Sequence, residues 1–289
     1  MNPIGAHWSG RLFDTLNAVL LILVALVTFY PLWHEVSLSL SSMEEAMRGG
    51  AFWWPRDFTI SAYQTVLGSE YIWVAYGNSI FTTVVGTLLT VLMTAALAYP
   101  LTKGEMPAQR IILLLILFTM LFSGGMIPTY LLVKSLGLIN SLWSLILPTA
   151  VSAFNVIIMI SFFRTLPLEL EDSAMIDGAN PLRIFASIVL PLSKPVLATV
   201  ALWEAVGIWN NYLQALIYLN DKSKYTLPLL LRDVINGQVT ARMTGELTGA
   251  SVDSVVAATI IVAMVPILCV YPFLQKYFVK GVMIGSVKS

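Results

Sequence analysis

Residues 166–195 read LPLELEDSAMIDGANPLRIFASIVLPLSKP, and this stretch decides how the rest of the chain is understood. It is the most polar and most patterned part of an otherwise apolar sequence, and it lies between two long apolar runs. That setting predicts a loop on one face of a membrane. The residue pattern predicts two short helices with a sharp corner. Pro167 suits a first helical position, where no amide donor is needed. Glu169, Glu171 and Asp172 crowd the first turn, at the positive end of the helix dipole. Leu168, Glu171, Asp172 and Met175 share one face at the 3–4 spacing. Gly178 stops that helix as a left-handed cap. Asn180 followed by Pro181 is an N-cap and first-position pair, so a second helix starts at once. Leu182, Phe185, Ala186 and Val189 form its apolar stripe, and Pro191 and Pro195 end it. A rigid helical corner between spans is a knob on which a soluble partner can push. The alternative is a plain connector lying on the lipid surface.

Composition sets the solvent. The chain has 289 residues, 57% of them hydrophobic and only 11% charged. An ordinary soluble domain carries about 25% charged residues, so this chain uses lipid as its solvent. Net charge is zero, which removes the bulk electrostatic case for a nucleic-acid partner. The single Cys269 lies in an apolar run and reads as a small buried hydrophobe. The first apolar run starts near Leu16 and lacks a small-residue cleavage site, with Phe29, Tyr30, Pro31 and Trp33 where one would fall. It reads as a retained anchor, not a leader. Residues 1–14 form an N-terminal segment, with Trp8, Arg11, Leu12 and Phe13 suited to the membrane surface; disorder is the alternative.

The expected fold is all-α and integral to the membrane. Crossing about 30 Å of hydrocarbon takes about 20 apolar residues. Six spans follow at about residues 15–33, 73–100, 110–132, 142–163, 196–219 and 254–274. They make a membrane domain over 15–274, with the polar corner loop at 164–195 and a tail at 275–289. Lipid satisfies no open backbone group, and the alternation of a barrel strand is absent. An even number of spans puts both termini on one side. That side holds nine cations: Arg11, Lys103, Arg110, Arg164, Arg183, Lys194, Lys276, Lys280 and Lys288. The other holds seven: Arg48, Arg56, Lys134, Lys222, Lys224, Arg232 and Arg242. The nine sit closer to span ends, so they and the corner are assigned to the cytoplasm. Two long outer loops remain, 34–72 with Trp53-Trp54-Pro55, and 220–253. The first suits an interfacial aromatic belt or a partner contact; the second suits a soluble partner.

Chemistry is mostly absent. There is no phosphate-cradling Gly-x-x-x-x-Gly-Lys-[Ser/Thr] loop. His7 and His34 are far apart, and no His/Cys/carboxylate cluster offers a metal site. No nucleophile triad pattern appears. The chain reads as non-catalytic, without metal or cofactor; if it moves a solute uphill, another subunit must supply the energy. Polar content concentrates in the fifth span, at Glu204, Trp209, Asn210, Asn211 and Tyr212. Intramembrane polar groups usually face a bundle interior or a water-filled path, and amides also join helices. Both readings stay open for Asn210 and Asn211. Aromatic rings with amides suit sugars. Glu204 either pairs with a cation on another subunit or turns into the path. Asn78 and Asn155 either bond between helices or touch a solute. Ser123-Gly124-Gly125-Met126-Ile127-Pro128 is a break inside the third span.

Asp172, Ser173, Ala174, Asp177, Gly178, Ala179, Ile188, Leu190 and Pro191 together resemble the EAA loop of binding-protein-dependent ABC importer permeases. That pattern runs Glu-Ala-Ala, three residues, Gly, then nine residues to Ile-x-Leu-Pro. Here Asp172-Ser173-Ala174 replaces Glu-Ala-Ala. Trp209-Asn210 with Tyr212 is similar to a fifth-span feature of sugar-importer permeases. The end, Gln275 to Gly281 and then Gly285-Ser286-Val287-Lys288-Ser289, resembles their Gly-x-Val-Lys-Gly tails. Finer texture resembles the branch that imports oligosaccharides, including polyuronates such as alginate.

The resemblance implies a type I importer permease fold in a bacterial inner membrane. It implies that Glu171, Asp172, Ser173, Ala174, Asp177, Gly178, Ala179 and Pro191 form a coupling helix on a cytoplasmic ATPase. It implies that Asn78, Asn155, Glu204, Trp209, Asn210, Asn211 and Tyr212 lie along a translocation path. The implied partners are a second homologous permease in a heterodimer, two ATPase subunits and an extracytoplasmic sugar-binding protein. The rival readings are a permease for a non-sugar solute, an ion-coupled secondary carrier, an intramembrane enzyme and a non-transporting scaffold. A carrier would show two related halves and several buried charges. The enzyme would need clustered nucleophiles or ligands.

Overall fold

The structure, a computed structural model, describes residues 8–50, 52–237 and 251–286, with side chains described for 13–50, 52–237 and 251–269. Among these residues every regular element is a helix. Two compact units form, one from residues 1–69 with 231–264 and the other from 70–230 with 265–289.

The first unit begins with α1, Trp8–Ser39. The expected N-terminal segment 1–14 overlaps its first turns from Trp8 onward; residues 1–7 lie outside the described residues. From Phe13 to Phe29 the helix is exposed on all sides, so its apolar faces need lipid or another chain. It also runs past the expected end at 33, because the polar residues there find partners. Ser39 donates to the Val36 carbonyl at 2.8 Å and lies 2.8 Å from the Tyr63 hydroxyl. The expected outer loop 34–72 is therefore largely ordered, with α2 over Met43–Arg48 and α3 over Ser61–Gly68. Its Trp-Trp-Pro piece folds back on α1: the Trp33 indole donates to the Trp53 carbonyl at 2.7 Å, and Tyr30 packs on Trp53.

The second unit holds the broken helices. Its rod is α4, Glu70–Ala98. The expected third span is α5, Gln109–Leu121, and α6, Met126–Ser135, bent by 114° where sequence had marked the break. At about 1.5 Å per residue, α5 covers roughly 20 Å and does not cross hydrocarbon alone. The fourth is α7, Trp143–Thr149, and α8, Ala153–Phe163, bent by 52°. Next come α9, Leu168–Ile176, α10, Pro181–Leu192, and α11, Lys194–Trp209, with 78° between the last two. After them come α12, Leu213–Tyr218, α13, Leu227–Ile235, and α14, Val252–Ser286.

Helix α1, α4 and α14 each contain a stretch long and apolar enough to cross, and the three bent pairs bring the total to six if each is one crossing. The fifth span is not one helix over 196–219: α11 stops at Trp209 because the Asn210 side chain turns back to the Val206 carbonyl at 2.8 Å. The sixth helix runs on through the expected tail to Ser286, and residues 287–289 lie outside the described residues. In the loop 220–253, α13 was not anticipated, and 238–250 lie outside the described residues. Cys269 is exposed, not buried, since an apolar residue of a membrane helix needs only lipid around it.

Helix α11 packs along α4 more extensively than any other helix pair described. Small residues of α4 are buried, among them Ser79, Thr82, Gly86, Thr90 and Thr94. A Cβ on Gly86 would stand 2.8 Å from the Ile208 Cδ1, so a side chain there would displace the end of Ile208.

Candidate coupling corner and solute cleft

The corner forms much as its residues dictate. Helix α9 ends on Gly178 at φ +81°, a left-handed conformation that glycine adopts without Cβ strain. The Gly178 amide donates to the Met175 carbonyl at 3.0 Å and the Ala179 amide to the Ala174 carbonyl at 2.9 Å, the paired bonds of a Schellman cap. The Asn180 Oδ1 accepts from the Arg183 amide at 2.8 Å, with Pro181 in the first position of α10. The reading differs at its edges. Pro167 is the N-cap, extended at ψ 124°, and the helix starts one residue later.

Pro191 does not end α10. A π-helical turn over Phe185–Val189 precedes it and the helix continues to Leu192. The wide turn shifts the register, so the buried face carries Ile184 and Val189, while Leu182 and Ala186 of the expected stripe are exposed.

The EAA-like residues divide between two faces of α9. Asp172, Ser173, Asp177 and Gly178 are exposed, as are Leu168, Met175, Ile176 and Leu182. Ile176 is 87% exposed, a high value for an isoleucine held on an ordered helix. Ala174 and Ala179 instead pack against a buried core of Ala95, Ala98, Tyr99, Val156, Met159 and Ile184, among others.

Glu171 lies on the other face of α9. It is 7% exposed and turned toward its own chain. Its Oε2 accepts from the Tyr99 hydroxyl at 2.8 Å and from the Lys103 Nζ at 2.5 Å. Sequence spacing put Glu171 and Asp172 on a common face. The fold turns that face edge-on, and the two carboxylates point apart in function.

The expected path residues come together only in part. An open cleft of about 400 Å³ is lined by Thr149, Val151, Ser152, Glu204, Ile208 and Asn211, among others. The Asn155 Nδ2, itself buried, donates to the Glu204 Oε1 at 2.6 Å. Among the described residues Glu204 has this amide and no cation partner. Asn211 lines the cleft but spends its Nδ2 on the Gln214 Oε1 at 2.6 Å. Trp209, Asn210 and Tyr212 do not line it.

Asn78 belongs elsewhere. Its Nδ2 donates to the Ser223 carbonyl at 2.9 Å and the Tyr225 carbonyl at 3.0 Å, fastening the loop after α12. Ser79 beside it accepts from the Leu227 amide at 2.8 Å. The residues that sequence reasoning passed over are Tyr99, Lys103, Thr149, Ser152 and Asn140. Asn140, at φ +60°, accepts from the Asn220 and Asp221 amides and donates its own amide to the Tyr218 carbonyl at 2.7 Å. Its only signal was a polar residue just before the fourth apolar run. Nearby, bonds from Ser223 and the charge of Lys224 hold the exposed Asp221 carboxyl below the usual carboxylate range.

Helices broken at membrane depth around a polar cleft, with an ordered corner between them, are the build of a membrane transport subunit. The chain belongs to the family of binding-protein-dependent transport system inner membrane components, whose model matches residues 72–284. It is thus a multi-pass permease subunit of an ABC importer.

It is 46% identical over 284 residues to the protein LplC of Bacillus subtilis, covering 97% of this chain and 96% of that one. It is 43% identical to the polygalacturonan/rhamnogalacturonan transport system permease protein YtcP of the same organism, covering 97% and 99%. The crystal structure of a bacterial ABC transporter involved in the import of the acidic polysaccharide alginate contains a chain that superposes with a TM-score of 0.89 at 35% identity, over 96% of this chain and 100% of that one.

Proposed function

We propose that this chain is one of two permease subunits that together carry an oligosaccharide across a bacterial inner membrane, with both termini and the corner in the cytoplasm. A separate pair of ATPase subunits supplies the energy, and an extracytoplasmic binding protein delivers the sugar. A relative named for polygalacturonan transport and the alginate importer favour an acidic oligosaccharide. The observation that carries the reading is the outward face of the corner. Leu168, Met175, Ile176 and Leu182 are large, apolar and exposed on a rigid, capped helix pair. Exposed apolar surface of this kind marks a partner site. Asp172 and Asp177 add charge beside it, suited to a basic rim on an ATPase.

The cleft supplies the path half of this reading. Thr149, Ser152 and Glu204 offer hydroxyl and carboxylate oxygens to sugar hydroxyls. No Lys or Arg lines it, so the cleft holds a sugar through its hydroxyls and not through a uronate carboxylate. Because α11 carries Glu204 and packs along α4, movement of α4 changes the width of the cleft. The membrane domain spans 15–274 in this scheme, with the corner loop 164–195 as its cytoplasmic contact. Reconstitution with a partner permease, ATPase and binding protein tests it: uptake of labelled oligogalacturonate driven by ATP is the expected result. Uptake driven by an ion gradient without ATP would sink the reading.

A further inference from the structure

Glu171 sits where a docking carboxylate was expected, yet it is turned into its own chain. Four contacts meet around it. Its Oε2 takes the Tyr99 hydroxyl at 2.8 Å and the Lys103 ammonium at 2.5 Å. Lys103 also lies 4.9 Å from the centre of the Tyr99 ring. The Tyr99 ring stacks on Phe185 of α10, with centroids 5.1 Å apart. Tyr99 follows directly on α4, and Lys103 caps the short 3-10 turn Pro100–Thr102 that ends it. So both helices of the corner, α9 through Glu171 and α10 through Phe185, grip the same end of the same rod. Glu171 is 7% exposed and Tyr99 8%, so water competes poorly for the hydroxyl bond, while the Lys103 side chain is 32% exposed and its bond is partly screened.

We propose that Glu171, Lys103 and Tyr99 form a latch that transmits movement of the corner to α4. It rests on the reading above that the corner is driven by an ATPase. Glu171 is then a positioning residue: it touches neither nucleotide nor sugar. A push on the outward face of α9 moves a helix whose inward face is bonded to α4. The cleft residues follow, because α11 packs along that rod. Ala174 and Ala179 add shape but no directional bond, so they align the corner without pulling on it. A carboxylate shared by a cation and a hydroxyl resists both separation and rotation.

The test uses the full reconstituted complex and reads three quantities: ATPase retained on purification, ATP hydrolysis stimulated by loaded binding protein, and sugar moved per ATP. Glu171→Gln is expected to retain the ATPase and lower sugar moved per ATP by about tenfold, within the range of couplings carried through contact networks. Exchanging the charges, Glu171→Lys with Lys103→Glu, is expected to restore much of that ratio, which a merely destabilising change would not do. If Glu171→Gln fails to assemble, Tyr99→Phe carries the test, since it keeps the ring on Phe185 and removes one bond. It is expected to assemble fully and lower the ratio by about threefold. Loss of ATPase from an otherwise assembled Glu171→Gln complex would make Glu171 a docking residue and overturn the latch. An unchanged ratio in both single variants would overturn it as well. Absence of stimulated hydrolysis in the unmutated complex would instead sink the functional reading, so the two failures are told apart.

Discussion

The two ends of α4 are held in opposite ways. At its C-terminal end the corner is gripped by side chains: one carboxylate, one ammonium, one phenol and one ring stack. At its N-terminal end the loop before α13 is held mostly by side-chain bonds to backbone, from Asn78, Ser79 and Asn140. Bonds to backbone fix a loop in one conformation, because the carbonyls and amides move only if the chain refolds. A side-chain latch moves as a body with the helices that carry it. The difference assigns a fixed clamp to one end and a movable joint to the other.

The largest expected effect separates the corner from the clamp. Ile176→Asp with Leu182→Asp should strip the ATPase from the purified complex, weakening it on the order of a hundredfold or more if these are docking anchors. Both side chains are exposed, so thermal stability of the permease should change little. Pull-down and a melting curve on one preparation decide it.

The clamp should answer the other way. Asn140→Ala removes two bonds to exposed loop amides, which water then takes over, and leaves a residue without a side-chain bond at φ +60°, for about 1 kcal/mol of lost stability. ATPase retention by the folded fraction should be unchanged. Asn140→Gly should recover part of that loss by relieving the backbone alone.

Between the two ends lies the cleft. Glu204→Gln removes its carboxylate, and uptake of an acidic sugar relative to a neutral one should rise about fivefold, roughly 1 kcal/mol of repulsion. Competition between labelled sugars measures it. The smallest effect belongs to pH. Asp221 has its carboxyl depressed, so its contribution is present above the unfolded carboxylate value and is lost as pH falls through the folded one. The clamp should loosen slightly below about pH 4, seen as faster amide exchange at Ser223.

Much of this was legible in the sequence where the cause is local. Gly178, Asn180 and Pro181 cap their helices through neighbours within a few residues, and the break at Ser123–Pro128 lies within its own segment. What failed depends on distant partners. Nothing in α9 says which carboxylate faces inward; that is decided by Lys103, 68 residues away. Asn78 read as a polar group in a span, and only the fold brings Ser223 and Tyr225 to it. Asn210 and Asn211 were noticed as polar content, though their first effect is local, ending α11 and opening the next turn. The continuation of α1 to Ser39 was hidden because residues 34–39 look like loop until Tyr63 arrives.

The side of the membrane that bears the corner tests the central claim most directly. A cysteine replaces Ile176, which is 87% exposed, in a Cys269→Ser background, and intact cells and inside-out vesicles are treated with a membrane-impermeant maleimide. Coupling from the cytoplasm predicts labelling in the vesicles alone, with protection when the ATPase is bound. Labelling of the same cysteine in intact cells would contradict it.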